Sequence, residues 1–177
     1  MNKNTSDLFQ DNKAEDMKFN ADTINNLIAS LRVEENKLSV DEFINLRKNG
    51  PFVSYTKEDV DLALKNTLYR VSIYNENEIV GMARVVGDGR IAFFIKDVVV
   101  NEKYKGMKIG KELMKNVFNY IERNASMNAY IGLMAVKGTE GFYEKLGFIQ
   151  RPNEDYGAGM IMYYKGGKIY EENSSLR

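Results

Sequence analysis

The 177-residue chain has no cysteine and no histidine. Without cysteine there is no disulfide, no thiolate nucleophile and no cysteine-based zinc site. Without histidine the commonest metal ligand and the commonest general base are missing, and histidine-dependent triads are excluded. No metal site is therefore expected, and acid–base chemistry falls to Asp, Glu, Tyr, Lys, backbone groups or water. An excess of either charge is also absent, since 25 basic residues face 25 acidic ones. That balance lacks the basic footprint of a nucleic-acid binder. No apolar run approaches the ~20 residues of a membrane-spanning helix. The opening "MNKNTSDLFQDNKAEDMKFN" has no apolar centre, so it does not read as a secretory signal, and a cytoplasmic location is expected with no membrane partner.

What remains is the composition of one folded domain, 44% hydrophobic and 28% charged. Residues 1–20 read as a polar tail with a helical turn near Asp7–Phe9, and 21–177 as a single domain. "NLIASLRVEE" (26–35) reads as a first strand. "SVDEFINLRKNG" (39–50) reads as a helix, with Ser39 and Glu42 in capping-box positions and Gly50-Pro51 as its stop. "TKEDVDLALKN" (56–66) repeats the pattern, with Thr56 as cap and Val60, Leu62 and Leu64 on the apolar side. The period then changes to two in "LYRVSIYN" (68–75), followed by strands in "EIVGMARVV" (78–86) and "IAFFIKDVVV" (91–100) around the turn "GDGR". A helix carries Ile109, Leu113, Val117 and Ile121 at spacing four. "NAYIGLMAV" (128–136) reads as a strand and "TEGFYEKL" (139–146) as a short helix stopped by Gly147. "FIQ" (148–150) and "GMIMYYK" (159–165) read as closing strands. Hairpins followed by a strand–helix–strand crossover make an α+β fold, with a parallel pairing between the strands ending at Val100 and Val136.

"YKGMKIGKELM" (104–114) places two glycines and three lysines at the mouth of a helix. The first amides of a helix have no intrahelical partner and the helix dipole makes that end positive, so a strand–glycine loop–helix unit suits an anion. The spacing is neither that of a P-loop nor G-x-G-x-x-G. Taken alone, the stretch fits an ordinary lysine-rich turn equally well.

The longer stretch "DVVVNEKYKGMKIGKELM" (97–114) resembles motif A of the GNAT superfamily of N-acetyltransferases, whose loop runs Q/R-x-x-G-x-G/A. Lys105 stands at the Q/R position, Lys108 at the first glycine and Gly110 at the last, so Lys105 and Lys108 depart from the pattern. Downstream, "GFYEKLGF" (141–148) resembles motif B. The resemblance covers roughly residues 26–165. It implies a mixed, mostly antiparallel central sheet flanked by helices, with the fourth and fifth strands splayed apart. It also implies acetyl-CoA as co-substrate. Main-chain groups of Val98, Val99 and Val100 would pair with the pantetheine arm. Amides from Lys105, Gly106, Met107, Lys108, Ile109, Gly110 and Lys111 would hold the pyrophosphate. Tyr143 would be the general acid toward the departing thiolate, its alternative being a core tyrosine; Phe142 and Leu146 read as core.

The base is open. Asp97 interrupts an apolar strand beside the expected acetyl site, so it is either a catalytic carboxylate or one answering Lys96 or a loop amide. Glu140, Glu154 and Asp155 are further acids. The resemblance implies that acceptor specificity lies in loops 47–55 and 151–159, where Phe52, Tyr55 and Tyr156 would form an apolar wall and Glu154 and Asp155 would draw in a cation. The acceptor is an amine, small-molecule or protein-borne, transferred to directly in a ternary complex because there is no cysteine to carry the acetyl group. Two other readings stand beside it: a non-catalytic acyl-CoA-binding regulatory module, and an acyltransferase with a non-amine acceptor. The oligomeric state is open, a homodimer included.

Overall fold

Element order follows from caps and periodicities along the chain. The computed structural model describes residues 20–164 except Asn49. The expected tail turn near Asp7–Phe9 and residue 165 of the last expected strand lie outside the described residues. Helix α1 (Ala21–Ser30) begins where the Asn20 side chain accepts from the Thr23 amide at 2.7 Å. Here the expected strand over 26–35 is corrected: only β1 (Arg32–Glu35) is strand. Ile24, Leu27, Ile28 and Leu31 are the partly buried positions, and that three-to-four spacing is helical. Helix α2 (Val40–Arg47) starts with the expected capping box, the Ser39 amide donating to Glu42 and the Glu42 amide to the Ser39 hydroxyl. Helix α3 (Lys57–Lys65) is capped by Thr56. It buries Val60 and Leu64, whereas Leu62 faces solvent at 58% exposure, because residues two apart on a helix do not share a face.

Strands β2 (Tyr69–Asn75), β3 (Glu78–Gly87) and β4 (Ala92–Val100) form a meander. Helix α4 (Ile109–Asn124) crosses to β5 (Tyr130–Leu133), giving one sheet in the order β1-β2-β3-β4-β5. The first three pairings are antiparallel, and the sheet is mixed through its β4–β5 edge. Helix α4 lies on one face, burying Ile109, Leu113, Met114, Val117 and Ile121 and stacking Tyr120 on Tyr69 at 4.6 Å between ring centres. Gly81 of β3 lets it approach, since a Cβ there would stand 3.0 Å from Ile109 and 3.1 Å from Leu113. On the other face Leu38, Phe43, Val60 and Leu64 pack with Met82 and Val99.

Among the described residues, those up to Gly132 form one compact unit and those from Leu133 onward a second. The second unit contains α5 (Glu140–Glu144), after which Gly147 takes a φ of 93°. None of the α5 residues is fully buried, so Phe142 and Leu146 are half-buried rather than core. The strands expected at 148–150 and 159–164 are not formed. Met160, Ile161 and Met162 stand exposed in an irregular segment, because a strand is made by its neighbour's hydrogen bonds and not by its apolar content. Among the described residues, no helix is long and apolar enough to cross a membrane.

Because Ser39 fixes the start of the helix that delivers Arg47, Ser39→Ala is expected to cost about 1 kcal/mol and lower Tm by about 2–4 °C. Thermal unfolding followed by circular dichroism checks this.

Candidate active site

Three features of the first unit meet along the C-terminal half of β4. The first is a break in register. Met82 pairs with Val99 and Arg84 with Lys96, so Ala83 alone faces both Asp97 and Val98. This is a β-bulge, with Asp97 in the left-handed region at φ 52°. Of the non-glycine residues, Asp and Asn are the ones that accept this backbone most readily.

The second feature is what holds the bulge. Asp97 is 8% exposed. One carboxylate oxygen accepts from Arg47 Nη1, and the other accepts from Arg84 Nε and Nη2, each at 2.8 Å. Arg84 also donates to the Thr67 hydroxyl at 2.8 Å, and Arg47 to the Val53 carbonyl at 2.9 Å. Aromatic faces enclose the guanidiniums. Arg47 lies 5.0 Å from the ring centre of Phe43, 4.7 Å from Phe52 and 5.4 Å from Tyr55, and Arg84 lies 5.1 Å from Phe43. Burial lowers the pKa of both arginines, and for Arg84 the charge of Arg47 lowers it further. Asp97 thus answers neither Lys96 nor a loop amide, as the sequence suggested, but the buried Arg84 and the partly buried Arg47. Both oxygens are committed to cations, which leaves the carboxylate poorly placed to take a proton from an amine.

The third feature is a strand edge with no pairing partner among the described residues, running into an amide cradle. The Tyr130 amide donates to the Ile91 carbonyl at 2.8 Å, which fixes the start of β5 beside the start of β4. Four strand residues reach roughly 13 Å, whereas Val98 lies roughly 23 Å beyond Ile91, so β5 ends well short of it. The Asn101 amide donates across to Val80 at 2.9 Å. Alternation then turns the backbone groups of Val98 and Val100 toward the outer edge and those of Val99 toward β3. Val99 is buried, and its flanking valines are half-buried.

Past a 3-10 turn at Glu102–Tyr104, the loop passes Gly106 at φ 79° and Lys108 at φ 62°. Lys108 occupies the helix N-cap in the conformation that glycine would supply, and it makes no side-chain cap. The first intrahelical bond is from Glu112 to the Lys108 carbonyl at 3.1 Å, so the Ile109, Gly110 and Lys111 amides point out of the helix end without intrahelical partners. Met107 and Ile109 are buried anchors of this cradle. Lys105 pairs with Glu102 at 2.5 Å. Ile24 and Leu27 of α1 face Tyr104 and Met107 across an apolar recess of about 220 Å³.

In the second unit, Tyr143 stacks edge-on with Phe142 and Phe148 at 5.0 and 5.9 Å. Burial raises its pKa, so the phenol is protonated at neutral pH. Thr139 caps α5 without a side-chain bond, and Glu140 accepts from the Gly138 amide at 2.7 Å. Glu154, Asp155 and Tyr156 lie in a loop organised by Asn153, whose side chain accepts from the Asp155 and Tyr156 amides, with Arg151 5.5 Å over the Tyr156 ring. The structure therefore brings Phe52 and Tyr55 to Asp97 by way of Arg47. Sequence reasoning named neither Arg47 nor Arg84. The signal was available in Arg84, a charge inside "EIVGMARVV" just as Asp97 is inside "IAFFIKDVVV".

Residues 42–163 match the family model described as an acetyltransferase (GNAT) domain. The chain belongs to the GNAT acetyltransferase family. It is 33% identical over 108 residues to an uncharacterized N-acetyltransferase, ycf52, of Porphyra purpurea, covering 59% of this chain and 60% of that one. The chain thus spans about 60% of the length of that curated relative. A crystal structure from methicillin-resistant Staphylococcus aureus, titled a protein of unknown function and probable acetyltransferase, superposes with a TM-score of 0.68 at 29% identity, covering 75% of this chain and 99% of that one. A GNAT family acetyltransferase from Streptococcus pneumoniae shares the fold with a TM-score of 0.64 at 24% identity, over 77% and 99% of the two chains. Acyl transfer is the chemistry common to this family, and the sheet and flanking helices are its α+β fold.

Asp97→Asn keeps the shape and tolerates the left-handed backbone, so it isolates the charge. It is expected to destabilise by about 3–5 kcal/mol, because a buried and a partly buried guanidinium lose their counter-ion. Urea unfolding measures this, and a stability within 1 kcal/mol of wild type would count against the bulge lock.

Proposed function

We propose that the protein is an N-acetyltransferase that moves an acetyl group from acetyl-CoA to a primary amine, small-molecule or protein-borne, in a ternary complex. The observation that carries this is the outer edge of β4 at Val98 and Val100, which has no strand partner among the described residues and runs directly into the first amides of α4, which lack intrahelical partners. Those two features fit the two ends of the co-substrate's arm: an edge that accepts an added strand, and a positive helix end that accepts phosphate. When bound, acetyl-CoA supplies an acetyl group activated as a thioester.

The chain's own groups do the rest. Amides from Lys108 to Lys111, with the Lys108 and Lys111 ammonium groups nearby, hold the pyrophosphate. Val98 and Val100 align the arm, and an outward amide of this edge polarises the acetyl carbonyl as an oxyanion donor does. The acceptor amine must be unprotonated to form its C–N bond. Asp97 serves here as a positioning residue that fixes the bulge and hence the direction of the edge amides. The field around it favours a neutral amine. Lys96, an amine already there, has its pKa lowered by partial burial of its ammonium and then by Arg84 and Arg47. The attacking nitrogen passes its proton to water. Tyr143, protonated at working pH, is the donor to the thiolate as the C–S bond breaks.

Three outcomes are expected. Acetyl-CoA at 100 times its Kd should stabilise the protein by about 2.7 kcal/mol in thermal shift, with little effect from ATP or NAD. Gly110→Asp should abolish that shift while leaving circular dichroism unchanged, because a carboxylate at the helix end repels phosphate. Tyr143→Phe should keep the shift but lower turnover, read as CoA release against an amine panel, by about 10²–10⁴. A chain that binds acetyl-CoA and releases CoA to no acceptor would instead be a regulatory binding module.

A further inference from the structure

On the α2–α3 face of the sheet, the charge around Asp97 does not balance. Arg84 and Lys96 are cross-strand partners and so share that face, and Arg47 reaches it from α2. Three cations thus share this face with one carboxylate, which pairs with two of them, an excess of two positive charges in a chain whose formal net charge is zero. The acids on the neighbouring helices are engaged elsewhere. Asp41 pairs with Lys57 and Asp61 with Lys65, Glu42 accepts from Ser39 and Tyr74, and Asp59 accepts from Thr56. Glu58, at the outer start of α3, is exposed and bears on Lys57.

The three cations are not equally spent. Arg84 commits four of its five N–H donors to Asp97, the Thr67 hydroxyl and the Ala63 carbonyl. Arg47 gives one nitrogen to Asp97 and one to Val53, which leaves its Nε–H and two further N–H donors. Lys96 forms no hydrogen bond or ion pair among the described residues, and its nearest charges are like its own. Beside Arg47 lies a recess of about 80 Å³ whose charged lining residues are Arg47 and Lys48, with no carboxylate, and whose walls are the rings of Phe43, Phe52 and Tyr55.

We infer that the acceptor carries an anionic group, a carboxylate or a phosphate, that is received between Lys96 and the free donors of Arg47. This rests on the N-acetyltransferase reading, of which it names the substrate class. It stands beside the expectation that Glu154 and Asp155 draw in a cation, since an amine that carries an anionic group presents both charges. The anion supplies the missing counter-charge and tethers the amine of the same molecule on this face of the sheet. One charge-assisted contact corresponds to about a tenfold preference.

Two matched pairs test this on the full-length protein: β-alanine against β-alaninamide, and phosphoethanolamine against ethanolamine. Calorimetric binding is measured in the presence of CoA, which occupies the α4 amides, and turnover is measured as CoA release from acetyl-CoA. The charged member of at least one pair is expected to bind and turn over about tenfold better, and which pair responds separates carboxylate from phosphate. Lys96→Met, at an exposed position, should collapse that ratio toward one, and Lys96→Arg should restore it. Equal handling of charged and neutral members by wild type overturns the inference, as does a ratio that Lys96→Met leaves intact. The two readings fail separately. Neutral amines turned over as fast as charged ones would leave the acetyltransferase standing without the anion site. Anion binding that depends on Lys96, with no effect of acetyl-CoA on stability or turnover, would leave the site standing without the acetyltransferase.

Discussion

The Asp97 carboxylate, clamped by the buried Arg84 and the partly buried Arg47, is the interaction on which the rest of the first unit depends. A charge of that kind is stable away from water only when it is paired and hydrogen-bonded, and each partner here comes from a different element. Arg84 ties it across the sheet to β3, and Arg47 ties it to the end of α2. The pairing therefore fixes three things together: the extra residue in β4, the position of α2 over the sheet, and the course of the loop carrying Phe52 and Tyr55. A hydrophobic residue at 97 could fill the volume but would not select this register. Side chains on strands alternate, and a slip by one would turn Val99 out of the core.

The amide cradle depends on that register in turn. Because one residue is added before Val98, the following backbone groups alternate as they do, and Val100 presents its N–H and C=O to the open edge. The chain then needs only a short turn to reach α4. Lys108 shows that the glycine usual at this point in the family pattern serves a torsional requirement. The backbone is left-handed with lysine there as well, at a cost of roughly 1–2 kcal/mol that the packing of Met107 and Ile109 on either side offsets.

Much of this was legible in the sequence where the signal is local. The capping box at Ser39, the period-two strands and the four-residue spacing along α4 depend on neighbours in the chain, and the structure follows them. The stretch 97–114 likewise prescribes a local backbone, a glycine-containing loop that runs into α4. The misreadings arose where distant contacts decide. Residues 26–31 are apolar enough for a strand, but the Asn20 cap and a three-to-four spacing make them helical. "GMIMYYK" has strand composition and no described strand partner. Asp97 was visible as an anomaly in an apolar run, but its meaning depended on Arg47, 50 residues earlier. No spacing rule connects the two.

The short reach of β5 has a colloidal consequence. An exposed row of backbone donors and acceptors flanked by three valines is as good a template for a second polypeptide as for a pantetheine arm. The edge proposed to receive the co-substrate is thus also a place where strand-to-strand association can start. Occupancy by a small ligand doubles as a guard on that edge, so the empty protein is the form in which self-association through Val98–Val100 would begin.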